Sequence, residues 1–134
     1  MASGGDIVVW EDKVMRATQA GTKLIDKFKV DMVVRLPGKE VNTLIESKGV
    51  PWNLYGTSGW KGFIEQLQRQ ATAFSQATQT EKGVTIGERI ISFSTKVPQG
   101  LEKAGRELKV LMQKHYNQVL FGEQELQNFL DGTP

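Results

Sequence analysis

Lys27-Phe28-Lys29-Val30-Asp31-Met32-Val33-Val34-Arg35-Leu36 is the stretch whose conformation decides the fold. With a period of two, Phe28, Val30, Met32, Val34 and Leu36 fall on one face and Lys27, Lys29, Asp31, Val33 and Arg35 on the other. That is a strand signature, and the β-branched residues reinforce it. With a helical period, Trp10, Val14, Ala17, Leu24, Ile25, Phe28 and Met32 form one apolar stripe on a helix from about Asp6 to Leu36. The helical period is clean from Asp6 to Lys27, so helix is expected there; past Lys27 both readings stand. Ile91, Phe93, Thr95 and Val97 alternate in the same way with Ser92, Ser94 and Lys96. If strand prevails, 27–36 and 90–97 can pair into a two-stranded ribbon.

Outside this stretch helical periods dominate. Trp60, Phe63, Ile64, Leu67, Ala71, Phe74 and Thr78 share a stripe at about 100° per residue, which predicts a helix from Trp60 to Gln79. Thr57 and Ser58 are placed to cap its start, and Gly83 lies beyond its end. A second helix begins at Pro98 and ends before Gly122, with Leu101, Ala104, Leu108, Leu111, Met112, His115 and Val119 on one face. Glu123 and Glu125 open a short tail helix, docked by Leu126, Phe129 and Leu130. Lys39 to Lys48 reads as another short helix presenting Val41, Leu44 and Ile45. The expected fold is therefore mainly α: one domain, 1–134, with 1–50 as a helical arm and 57–134 as a helical bundle. The alternative is α+β, built on the 27–36 and 90–97 ribbon.

With 134 residues, 39% apolar and 24% charged, the chain can bury a core without staples. It has no cysteine, which excludes disulfides, zinc-thiolate sites and thiol nucleophiles. No segment approaches the roughly 20 apolar residues of a membrane-spanning helix. Met1 to Gly5 has neither a basic nor an apolar leader region, and Ala2 is not the glycine that myristoylation needs. An intracellular product is expected. A net charge of +2, from 17 basic and 15 acidic residues, makes the distribution of charge more informative than its sum.

Catalytic patterns are sparse, and no enzyme is expected. His115 is the single histidine and lies on an apolar stripe, as a core or interface histidine does. Glu11-Asp12, Glu102 with Glu107, and Glu123 with Glu125 have no metal-ligand spacing and read as solvated acids. Gly56-Thr57-Ser58-Gly59-Trp60-Lys61-Gly62 has the wrong spacing for a phosphate loop, and no hydroxyl follows Lys61. Neither a metal nor a cofactor is expected.

Cations concentrate near the amino end. Between Lys13 and Arg35 stand six basic residues and two acidic ones. On a continuous helix Lys13, Arg16, Lys23, Lys27 and Arg35 lie within roughly 120° of one another, able to follow a phosphate backbone. A solvated basic face is the plainer interpretation. Trp52, Tyr55 and Trp60 cluster on the loop 50–60 and fit a subunit interface, with base stacking as the alternative. Gln66, Gln68, Gln70, Gln76 and Gln79 give the Trp60 helix a neutral polar back that suits contact with another subunit, or is a quirk of composition.

A basic N-terminal helix, a bend at Pro37-Gly38, a short second helix and a helical C-terminal bundle resemble the coat proteins of filamentous archaeal viruses. The resemblance covers the whole chain loosely and is architectural. It implies a virion structural subunit that polymerises, with itself or a paralogous subunit, around nucleic acid, most naturally double-stranded DNA. It assigns phosphate contact to Lys13, Arg16, Lys23, Lys27 and Arg35, with Lys39 and Lys48 as lesser contacts. The competing expectation is a helical interaction module without nucleic acid, such as an adaptor or a chaperone.

Overall fold

A computed structural model describes residues 6–10, 13–18, 21–29, 32–36 and 40–132. Among the described residues of the first fifty, every regular element is a strand, well beyond the expected ribbon. The elements run β1 (Asp6–Trp10), β2 (Lys13–Thr18), β3 (Gly21–Lys29), β4 (Met32–Arg35), β5 (Asn42–Lys48), a 3-10 turn (Trp52–Leu54), α1 (Ser58–Ser75), β6 (Gln79–Thr80), β7 (Glu88–Phe93), α2 (Glu102–Met112), β8 (Gln118–Phe121) and α3 (Glu123–Leu130). The fold is α+β, which corrects the mainly α expectation. The Asp6–Lys27 helix is replaced by β1, β2 and β3, and the Lys39–Lys48 helix by β5. The Pro98 helix stops at Met112, so Val119 belongs to a strand and His115 to the turn between them.

The principal sheet has the order β1-β4-β5-β7-β8. β4 pairs antiparallel with β1 and β5, whereas β5–β7 and β7–β8 are parallel. The 27–36 and 90–97 segments are therefore not partners, because β5 lies between them. β2, β3 and β6 form a second antiparallel sheet. In it Arg16 is paired with Lys23 and Lys13 with Lys29.

The principal sheet is covered on both faces, which explains the misleading sequence pattern. Leu44 and Val33 pack with Phe74 and Ala77, while Ile91, Phe93 and Phe121 pack with Leu67, Ala71, Leu108 and Met112. α1 and α2 thus cover one face. Val34, Ile45, Ile90 and Leu120 meet Leu126, Phe129 and Leu130 of α3 on the other. A strand buried on both faces carries consecutive apolar residues rather than alternating ones. In β5 Leu44 and Ile45 are both inaccessible, and together with Val41 they mimic the i, i+3, i+4 spacing of a helix.

α1 realises the expected stripe as far as Phe74, with Leu67, Ala71 and Phe74 buried and Phe63 and Ile64 at its margin, but it ends at Ser75, leaving Thr78 outside the helix and Gln79 in β6. Thr57 holds the N-cap position, but its hydroxyl donates to the Leu54 carbonyl. At the other end Arg89 Nε donates to the Phe74 carbonyl at 2.7 Å, and its Nη2 donates to that of Ala77. These bonds satisfy carbonyls that the end of a helix leaves open. Burial pulls the Arg89 pKa below the ordinary arginine value, and Tyr116 pulls the other way.

Candidate functional site

One charged side chain lies where the fold calls for an apolar one. Glu46, on β5, is 2% exposed. Alternation puts Leu44, Glu46 and Lys48 on the β5 face that α1 covers, and Glu46 pairs in register with the core residue Ile91. From α1, Gln70 Nε2 donates to Glu46 Oε2 at 3.1 Å. The other end of that amide, Gln70 Oε1, is buried and accepts no hydrogen bond. Reversing the amide would set one oxygen against another, so the carboxylate fixes its orientation. A buried carboxylate and an unsatisfied amide oxygen therefore stand side by side.

The position within the sheet is equally informative. β5 is the strand at which pairing changes from antiparallel, with β4, to parallel, with β7. Ligands in open α/β sheets bind outside the carboxyl ends of the strands. Lys48 ends β5 at that side and is half-buried. On a strand two residues apart means one face, so Glu46 and Lys48 share a side of the sheet; on the expected helix they would have diverged.

The ribbon begins at the same place. β3 ends at Lys29, and β4 opens at Met32, which pairs with Ile45, one register step from Glu46. Register places Arg16 with Lys23, and Lys13 with Lys29, as cross-strand pairs of like charge.

The expected site residues thus separate into groups. Lys13, Arg16, Lys23 and Lys27 belong to β2 and β3, on a ribbon rather than a helical arm. Arg35 is exposed at the other end of β4, where Nε donates to Asn42 Oδ1 at 2.9 Å and Nη1 to the Glu40 carbonyl at 2.8 Å. Asn42 and Lys48 are the two ends of β5, about 20 Å apart, so Arg35 does not join Lys48. Lys39 lies outside the described residues, as does Asp31, which precedes Met32.

Trp52, Tyr55 and Trp60 do cluster. Trp52 and Trp60 have ring centroids 6.0 Å apart, and Tyr55 meets Trp60 edge-on at 5.2 Å. Trp52 also lies 6.3 Å from Phe121, and its indole donates to Thr95 Oγ1 at 2.8 Å. The rings are half-buried and fasten the loop after β5 to the end of β8.

No three His, Cys, Asp or Glu side chains gather among the described residues. No described helix is long and apolar enough to cross a membrane. The chain matches no family model, no curated protein and no solved structure. Sequence reading passed over Glu46 and placed Gln70 on a neutral polar back for subunit contact, whereas its amide turns inward to Glu46. The signal was acid-X-lysine at the end of Asn42-Thr43-Leu44-Ile45-Glu46-Ser47-Lys48, which is legible once the segment is treated as a strand.

Proposed function

We propose that the protein is a divalent-cation-dependent phosphodiesterase acting on nucleic acid. The observation that carries this reading is buried Glu46, aligned with Lys48 on β5 and touched by a Gln70 amide whose oxygen has no donor. Desolvating a carboxylate is costly, which makes a buried one a candidate functional group. A magnesium-type cation asks for oxygen ligands, and one or two carboxylates suffice when water and substrate phosphate complete the set. Glu46 and the Gln70 oxygen supply two such donors and would hold the ion once α1 moves away from β5, since both are shielded from solvent in the packed fold. When bound, such an ion polarises the phosphoryl oxygens.

The protein's own groups account for the rest. Lys48 is a fixed positive charge one pleat from Glu46, suited to the charge that grows on phosphoryl oxygens during displacement. Water adds at phosphorus, the bond to the sugar oxygen breaks, and the proton lost by water is taken up by that oxygen through solvent. The cations of β2 and β3 would supply phosphate-backbone contacts that carry no sequence information. Nucleic acid remains the partner, now as substrate.

The test is incubation of the purified protein with labelled DNA and RNA, with magnesium or manganese or with a chelator. Cleavage is expected with metal only, and Glu46→Gln and Lys48→Ala should each lower it by about a hundredfold or more while helicity is kept. Absence of cleavage of either polymer under both metals overturns the reading. The ribbon by itself favours a second reading, a non-hydrolytic nucleic-acid binder such as a polymerising coat subunit. Salt-sensitive binding without cleavage, with filaments in the electron microscope, would select it.

A further inference from the structure

We infer that the groove between α1 and α2 binds an organic cation, an apolar body that carries an ammonium group. The site is independent of the phosphodiesterase reading, since Glu46, Lys48 and Gln70 are not among its described lining residues. β5, β7 and β8 are parallel, and α1 and α2 each connect neighbouring strands of that set. The two helices therefore run side by side in one direction, and both pack on the same face of the sheet. Between them lies a groove of about 510 Å³. Small-molecule sites occupy roughly 300–1,000 Å³, with an apolar lining and a few polar groups that set orientation. Here Leu108 closes the floor, and Trp60, Ile64 and Leu111 are half-buried along it.

An indole and a carboxylate decide which head group the groove accepts. Trp60 is held by Tyr55, edge-on at 5.2 Å, and by Phe63 and Trp52, with ring centroids at 5.6 and 6.0 Å. A cation is attracted to the face of an aromatic ring, and to indole most strongly. Glu107 of α2 lines the same groove, and the Tyr55 hydroxyl donates to its Oε2 at 3.4 Å. Tyr55 thus touches both Trp60 and Glu107 and ties the carboxylate to the indole. Lys103 stands one helical turn before Glu107, yet among the described residues no cation pairs with this carboxylate. On the α1 rim Lys61 and Glu65 are four residues apart and offset each other, which leaves the charge of Glu107 in excess. An ammonium beside Trp60 and Glu107, with its hydrocarbon along Ile64, Leu108 and Leu111, gives each of these groups its complement.

The experiment titrates the full chain with hexylammonium, hexanol and hexanoate, which share one hydrocarbon tail and differ in head-group charge. Binding is followed by tryptophan fluorescence and by the methyl resonances of Ile64 and Leu111. Hexylammonium should shift both methyls and bind about tenfold more tightly than hexanol, with hexanoate weaker than either. Glu107→Gln, an exposed change that the fold tolerates, should weaken hexylammonium about three- to tenfold and leave hexanol within about twofold. Hexanol or hexanoate binding as tightly as hexylammonium overturns the inference, and so does an unchanged hexylammonium affinity in Glu107→Gln. Methyl shifts confined to residues outside the groove also overturn it. Sedimentation showing a dimer that covers Ile64 and Leu111, and that hexylammonium does not dissociate, would give the groove to a second copy instead.

Discussion

Glu46 occupies a position that leucine would fill at lower energy, since Leu44, Ile45 and Ile91 around it are inaccessible to solvent. Taking a carboxylate out of water is repaid only if its partners are well placed, and the Gln70 amide is one such partner. Glu46→Gln removes the charge and keeps the shape, so its folding stability should equal or exceed that of the wild type while phosphodiester cleavage disappears. Urea denaturation of both proteins measures this. A loss beyond about 2 kcal/mol would mean that the carboxylate is structural, because breaking a needed buried pair is strongly destabilising. Nothing in composition marks this residue; its meaning depends on which atoms cover it.

At the scale of elements, close approach decides where side chains are tolerated. An added Cβ at Gly105 of α2 would meet Val97 Cγ2 at 2.6 Å and Cγ1 at 2.7 Å, so this helix runs against the segment after β7 with no room for alanine. At Gly62 of α1 it would meet nothing within 4 Å. Alanine is the better helix former by about 1 kcal/mol at both positions. Gly62→Ala should therefore raise the denaturation midpoint by up to about that amount. Gly105→Ala should lower stability by about 1–3 kcal/mol, because a branched neighbour at the core margin cannot retreat freely. Equal responses at the two sites would show that the α2 contact is looser than its geometry. The helix of Trp60 and the tail helix were legible because each exposes one side to solvent, which keeps the 3.6 period visible. β5 and β7 lie between helix layers, and there burial on both faces erases the period of two.

Across the whole molecule, the two sheets divide the work. The principal sheet carries the core and buried Glu46, while β2 and β3 carry paired cations and join the rest through β6 and the link to β4. Reversing Lys13, Arg16 and Lys23 to glutamate should weaken nucleic-acid binding and shrink its salt slope by about 2–3, for three contacts at close to one apiece. Far-ultraviolet circular dichroism of the triple variant checks that the fold is kept. Retention of the full salt slope by the triple variant would place the polyanion elsewhere. Turnover on substrate at saturating concentration should change little, which separates this variant from those at Glu46 and Lys48.

By itself the sequence determined the helix from Trp60, the docked tail, the absence of thiol chemistry and the concentration of cations before Arg35. All of these depend on local spacing or on composition. The tertiary structure decided that Lys13–Thr18 and Gly21–Lys29 are paired strands, that Asn42–Lys48 is a central strand, and that Glu46 meets Gln70. Strand pairing joins residues remote in the chain, so no local period encodes it. A one-residue change of register would have carried Glu46 to the opposite face.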